Sequence, residues 1–233
     1  MSHRQNIVTI DGPSGVGKST ISRRVAQALS FTYLDTGAMY RAVGLKLKDA
    51  GLAKGDDESA LRQCLDTISL DLFPAAEGSD DVGVILDGRD VSQEIRSPEM
   101  SMIASRVSAL PVVREKLTHM QQEIGKKGEI VAEGRDTGTV VFPGAAWKFY
   151  LDAAPEVRMQ RRAKQLRSKG ESVDEEELLE MIIKRDRDDQ ARSIAPLCKA
   201  KDALLIDTGG LTIEEVTAAM LEVIRKEFSR VGS

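Results

Sequence analysis

The run Gly12-Pro13-Ser14-Gly15-Val16-Gly17-Lys18-Ser19 constrains this chain more than any other feature. It follows the apolar tetrad Ile7-Val8-Thr9-Ile10 and precedes a helical pattern, so it reads as strand, glycine loop and helix N-terminus. Glycines there let backbone N–H groups turn inward around a polyphosphate, because no Cβ blocks positive φ or close approach. In such a cradle Lys18 reaches the β- and γ-phosphates, and Ser19 offers its hydroxyl to Mg²⁺. The following helix carries Ile21, Val25, Ala28 and Leu29 on one stripe, which packs it on a sheet with its positive end toward the anion. Residues 12–20, through Thr20, are therefore expected to hold a nucleoside triphosphate.

The bulk numbers agree. A length of 233 residues suits one α/β domain with an insertion. A net charge of −4 argues against a general nucleic-acid binder, which needs a basic surface. Cys64 and Cys198 show no metal-ligand spacing and are expected to be reduced thiols in a cytoplasmic protein. No apolar stretch approaches the roughly 18 residues of a membrane span, and no secretory leader is expected.

Five apolar runs suit parallel strands: Ile7–Ile10, Phe31–Leu34, Ile130–Ala132, Lys148–Leu151 and Leu204–Ile206. Helical patterns separate them, as β-α-β winding requires. Thr36 is expected to cap a helix carrying Met39, Val43 and Leu47, and Ser97 to cap another that opens with Pro98. Pro111 should divide residues 99–124 into two helices. Ala154-Pro155 starts a further helix that Gly170 ends, Ser172-Val173-Asp174-Glu175 reads as a capping box, and residues 212–228 form a terminal amphipathic helix. Residues 69–97 break the rhythm. Alternation at Leu70-Asp71-Leu72 and the turn signal Asp87-Gly88 after Val82–Leu86 indicate a small antiparallel β insertion. Within it Gly88-Arg89-Asp90 reads as ordinary turn chemistry. Its echo, Gly134-Arg135-Asp136, follows a buried strand at the carboxyl edge, where open α/β sheets place ligands.

Other cradle-containing classes fit poorly. A guanine-reading switch needs an Asn-Lys-x-Asp motif, yet the sole asparagine is Asn6. A remodelling ATPase needs an apolar strand ending in Asp-Glu, and Val84-Ile85-Leu86-Asp87 runs into a turn instead. A pure binding module needs no excess of arginines among carboxylates. Arg158, Arg161 and Arg162 sit in the first turns of their helix, where cations oppose the dipole, which suggests a role toward phosphate; Lys164, Arg167 and Lys169 read as a solvated face. Arg185, Asp189 and Arg192 share a helical face, which by spacing alone is equally an ion-pair ladder. His3 and His119 read as surface residues, so no catalytic histidine is available. That suits a phosphate acceptor, which is largely dianionic at neutral pH (second pKa near ~6) and needs no general base. A kinase acting on a small phosphorylated acceptor remains.

Three segments, residues 10–19, Leu34-Asp35-Thr36-Gly37-Ala38-Met39-Tyr40-Arg41 and the stretch from Ala132 through Gly134-Arg135-Asp136-Thr137-Gly138-Thr139 to Pro143, resemble the bacterial cytidylate kinases. Residues 189–197 add a fourth match. The resemblance covers essentially the whole chain. It implies a three-layer P-loop kinase fold with a five-stranded parallel sheet, an insertion at 69–97 and a helical lid at 156–191. The remaining stretches, 1–68, 98–155 and 192–233, would form the core. It also implies transfer from ATP to CMP or dCMP with Mg²⁺, by a cytoplasmic monomer.

Residue by residue, the resemblance implies that Arg41, Arg135 and Arg192 contact the acceptor phosphate, that Arg185 and Asp189 face the pentose, and that Thr36 and Tyr40 lie beside the acceptor. Asp136 and Arg114 would read the base, with Ser105 nearby. The arginine-rich segment from Arg158 would be the lid that closes over ATP, and Arg158 and Arg162 would be catalytic with Lys18, Arg41, Arg135 and Arg192. The base assignment is chemically consistent: a carboxylate suits the cytosine amino group and a guanidinium suits its N3 and O2 acceptors, a pattern that uracil inverts.

Overall fold

The computed structural model describes residues 5–74, 82–168 and 170–231, with side chains as far as Lys226. In chain order the elements are β1 (Gln5–Asp11), α1 (Lys18–Leu29), β2 (Thr32–Asp35), α2 (Thr36–Asp49), α3 (Glu58–Asp66), β3 (Leu70–Phe73), β4 (Gly83–Leu86) and β5 (Arg89–Asp90). There follow α4 (Pro98–Val107), α5 (Pro111–Gly125), β6 (Ile130–Gly134), β7 (Ala145–Asp152), α6 (Pro155–Arg167), α7 (Glu175–Gln190), β8 (Leu204–Asp207) and α8 (Ile213–Val231). They belong to two compact units, Met1–Tyr33 with Lys127–Ser233, and Leu34–Lys126. The β insertion expected at 69–97 is part of the second unit, and the helices at 156–191 are part of the first.

The main sheet has five parallel strands in the order β2-β6-β1-β7-β8. β1 lies at its centre and is buried from Ile7 to Asp11, as expected of a parallel strand covered on both faces. Its register aligns Asp11 with Gly134 on β6 and with Tyr150 on β7. The glycine loop after β1 and the Gly-Arg-Asp segment at the end of β6 are thereby brought level. Ile21, Val25 and Ala26 of α1 join Val8, Phe149 and Met220 in one core cluster. Ala28, expected on that stripe, is exposed; Ala26 takes the buried place because it adjoins Val25 on the inward face. Met159 and Ala163 of α6 pack on Leu178 of α7.

In the second unit Met39, Val43 and Leu47 of α2 are all buried. The antiparallel sheet β3-β4-β5 appears where alternation placed it. Asp87 and Gly88 take φ of 50° and 80°, the left-handed pair that a tight hairpin demands. There Arg89 pairs with Asp49 and Glu94 on the surface, and Asp90 bonds Ser92, so the first Gly-Arg-Asp is turn chemistry.

Three local expectations are corrected. Asp35, not Thr36, caps α2: its Oδ1 accepts the Ala38 amide at 2.8 Å, and Thr36 becomes the first helical residue. Ser172 does not open a capping box, because Asp174 accepts from the amides of Glu176 and Glu177 and starts α7 two residues later. The reciprocal box forms instead at Thr212 and Glu215, each side chain accepting the other's amide. Helix α3 was not expected; Asp57 caps it, and only Leu61 and Leu65 are buried, too few to show a period.

Candidate active site

The loop after β1 is shaped by close approach. At Gly12, with φ +149°, an added Cβ would lie 2.1 Å from the Leu151 carbonyl oxygen. Gly17, with φ +91°, precedes α1, and no side chain caps that helix. Its first amides are thus left for an anion. Lys18 is buried and donates from Nζ to the Pro13 carbonyl at 2.6 Å, so the lysine folds back across its own loop. Burial, with Arg135 nearby, lowers the Lys18 pKa to about 7 against the opposing pull of Glu133 and Asp11. Ser19 is exposed just behind it.

At the end of β6 all five residues are buried. Glu133 accepts the Tyr33 hydroxyl at 2.5 Å. Arg135 donates Nε to Asp189 Oδ2 at 2.8 Å, and Arg192 pairs with Oδ1 of the same carboxylate. Burial alone would raise the Asp189 carboxyl, but the Arg135 and Arg192 charges outweigh it and the net shift is downward. Arg185 lies close enough to affect both Asp189 and Lys18 electrostatically. Asp136, 5 % exposed, precedes a single wide turn at Thr137–Val141. Arg192 was expected on the helical face of Arg185 and Asp189. It lies instead beyond α7, which ends at Gln190. The chain then turns back, with Ala195 at φ 49°, and the Leu197 amide bonds the Asp189 carbonyl at 2.9 Å. The pairing survives because Ala191 keeps an αR backbone just past the end of α7, so Arg192 still sits three residues on from Asp189 at near-helical spacing.

The arginines of α6 separate sharply. Arg158 is 3 % exposed and donates to the carbonyls of Ala153 and Ser14 and to Asp186 at 2.5 Å. Arg161 donates to the hydroxyl and carbonyl of Thr208, whose own hydroxyl meets the Val16 carbonyl. Both brace the cradle. Arg162 is half-buried and hydrogen-bonds Gln165, one turn further along the same helix. Lys164 and Arg167 are exposed as expected; Lys169 lies outside the described residues.

In the second unit, Arg41 reaches Asp35 at 3.4 Å. The Arg114 guanidinium lies 5.6 Å from the Tyr40 ring centroid, within cation–π range, and Arg114 is buried. Thr36 is buried and Ser105 half-buried. His119 is exposed. Sequence reasoning missed Asp11 and Thr208, which act on backbone far away in sequence, and Asp186, which holds the Arg158 guanidinium; only the place of Asp11 beside Gly12 hinted at its role.

The family described as cytidylate kinase matches residues 8–226. The chain belongs to the cytidylate kinase family. A cytidylate kinase of Carboxydothermus hydrogenoformans is 47 % identical over 220 residues, covering 94 % of this chain and 97 % of its own. One from Fervidobacterium nodosum is 45 % identical, covering 94 % and 96 %. A bifunctional pantoate ligase/cytidylate kinase of Synechococcus elongatus is 45 % identical over 95 % of this chain but only 42 % of its own length. Among solved structures, a shikimate kinase from Bacteroides thetaiotaomicron superposes with a TM-score of 0.50 at 15 % identity, covering 94 % and 98 %, a likeness of fold. As in other cytidylate kinase family members of comparable length, nearly the whole chain is matched. Among the described residues no helix is long and apolar enough to cross a membrane, and no group of three or more His, Cys, Asp or Glu side chains forms a metal site.

Proposed function

We propose that this protein transfers the γ-phosphate of ATP to CMP or dCMP, giving CDP or dCDP, as a cytoplasmic monomer in pyrimidine nucleotide metabolism. The observation that carries the reading is the Arg135–Asp189–Arg192 group, held at the same sheet edge as the Lys18 cradle. The cradle, residues 12–20, takes the ATP phosphates; Lys18 leaves the Pro13 carbonyl and turns to them. Arg41, Arg135 and Arg192 take the acceptor phosphate, and Arg185 and Asp189 the pentose. Asp136, Arg114 and Ser105 take the base, with Thr36 and Tyr40 beside it.

The acceptor dianion attacks without a base, so the residues act by positioning and charge neutralisation. Of the lid arginines, Arg162 is the one we assign to the transferring group, because Arg158 and Arg161 are bonded to the scaffold. Mg²⁺ fits this chain: the exposed Ser19 hydroxyl stands behind a cradle built for phosphates. When bound with ATP, the ion neutralises polyphosphate charge.

Steady-state transfer from ATP across CMP, dCMP, UMP, AMP and GMP tests the reading. Preferential turnover of CMP and dCMP is expected. Equal turnover of all five, or none of CMP, would refute it.

A further inference from the structure

Asp11 is the last residue of β1 and is 4 % exposed. Its carboxylate accepts three hydrogen bonds from the segment directly after Arg135-Asp136. Oδ1 takes the Thr137 amide at 2.9 Å and the Thr137 hydroxyl at 2.8 Å, and Oδ2 takes the Gly138 amide at 2.8 Å. Two consecutive amides gripped by the two oxygens of one carboxylate leave that segment little room to slide. Gly138 is what permits the approach. A Cβ there would come 2.8 Å from Thr9 Oγ1 and 3.3 Å from Asp11 Oδ2.

On its other side Asp11 is covalently joined to Gly12, which is wedged against the Leu151 carbonyl. One side chain therefore ties the first glycine of the cradle to the residues following the acceptor pair. The grip needs a charge. A neutral amide is cheaper to bury, but its nitrogen cannot accept from the second N–H. Burial accordingly raises the Asp11 pKa, while the Gly138 and Thr137 bonds and the Lys18 charge oppose the rise.

We propose that Asp11 is a positioning residue for the transfer, acting through Thr137 and Gly138 to hold Arg135 and Asp136 in register with the phosphate cradle. The proposal rests on the CMP kinase reading above. It assigns the grip chiefly to the acceptor side, since Thr137 directly follows Asp136 in the chain.

The test uses Thr137 because its hydroxyl can be removed without disturbing the cradle. Thr137→Val deletes one of the three bonds and should raise KM for CMP about tenfold, with KM for ATP within about twofold. Thr137→Ser restores the hydroxyl and should return KM for CMP to the wild-type value. Asp11→Asn should raise KM for CMP by about a hundredfold and KM for ATP as well, because Asp11 also carries Gly12. If Thr137→Val lowers the melting temperature without moving KM for CMP, or if serine fails to rescue, the link is structural only and the proposal falls. Amide hydrogen exchange keeps the two readings apart. Asp11→Asn should speed exchange at Thr137 and Gly138 whatever the acceptor is, and unchanged exchange there would overturn the grip. A wild-type protein inert toward CMP would sink the functional reading while leaving the exchange result standing.

Discussion

Arg135 and Asp189 lie 54 positions apart in sequence and meet at 2.8 Å, with Arg192 on the other oxygen of the same carboxylate. The shared carboxylate thus holds side by side two guanidinium groups that would otherwise repel, and sets their spacing. On the function proposed above, their remaining positive charge faces the acceptor phosphate.

Asp189→Asn leaves both arginines without their shared anion. Breaking a buried pair from one side costs about 3 kcal/mol, so urea denaturation should report a loss near that size. The kcat/KM for CMP should fall on the order of 10²-fold or more. Retention of both quantities would mean that the arginines position themselves.

Arg192→Ala should reduce turnover roughly 10³-fold, by analogy with arginines that neutralise a transferring phosphoryl group. Lys164→Ala, on the exposed face of α6, should remain near wild type. Comparable losses in both variants would point to a diffuse field rather than a specific contact.

Arg158 and Arg162 should separate by what they damage. Arg158→Ala removes donors to the Ser14 carbonyl and to Asp186, so it should lower stability by about 2–3 kcal/mol and raise KM for ATP. Arg162→Ala should leave the melting temperature unchanged and lower kcat. Thermal denaturation beside initial rates decides the assignment, and it is lost if Arg162→Ala keeps full turnover.

If Lys18 turns to the ATP phosphates as proposed, ATP binding should be linked to its protonation. Its folded pKa near 7 lies below the ordinary 10.5, so between those values the unfolded chain binds more protons than the folded one. The contribution of this group to stability is therefore present above pH ~10.5 and lost as pH falls through about 7. Polyphosphate favours the charged amine. At pH 8, ATP binding should take up close to one proton, measurable by calorimetry in buffers of different ionisation enthalpy. Lys18→Ala should abolish that uptake and the transfer while leaving CMP binding intact. Uptake that persists in the variant would assign the proton to another group.

Asp136→Asn exchanges an acceptor-only group for an amide that can also donate. Activity on CMP should drop and relative activity on UMP rise, shifting the kcat/KM ratio roughly 5- to 150-fold. An unchanged ratio would leave the second Gly-Arg-Asp to serve the phosphate alone, through Arg135.

What the chain alone determined is whatever local chemistry dictates. The glycine cradle announces itself because its φ values admit few other residues. The five core strands are apolar runs between helical periods, and Asp87-Gly88 is a turn by conformational preference. Competition between neighbouring caps was not legible: Asp35 beside Thr36, and Asp174 two residues after Ser172, are equally good acceptors until the entry path of the backbone selects one. The roles of the arginines were even less accessible. Arg158, Arg161 and Arg162 look alike in a basic segment, yet two are bonded to carbonyls of Ser14 and Thr208 that arrive from elsewhere in the chain. Asp11 shows the same limit, since its partners Thr137 and Gly138 are 126 and 127 positions away. Only the parallel register of β1 with β6 brings them within reach. Local conformational rules act over a few residues, whereas the pairing of buried charges depends on which strand ends the sheet sets level.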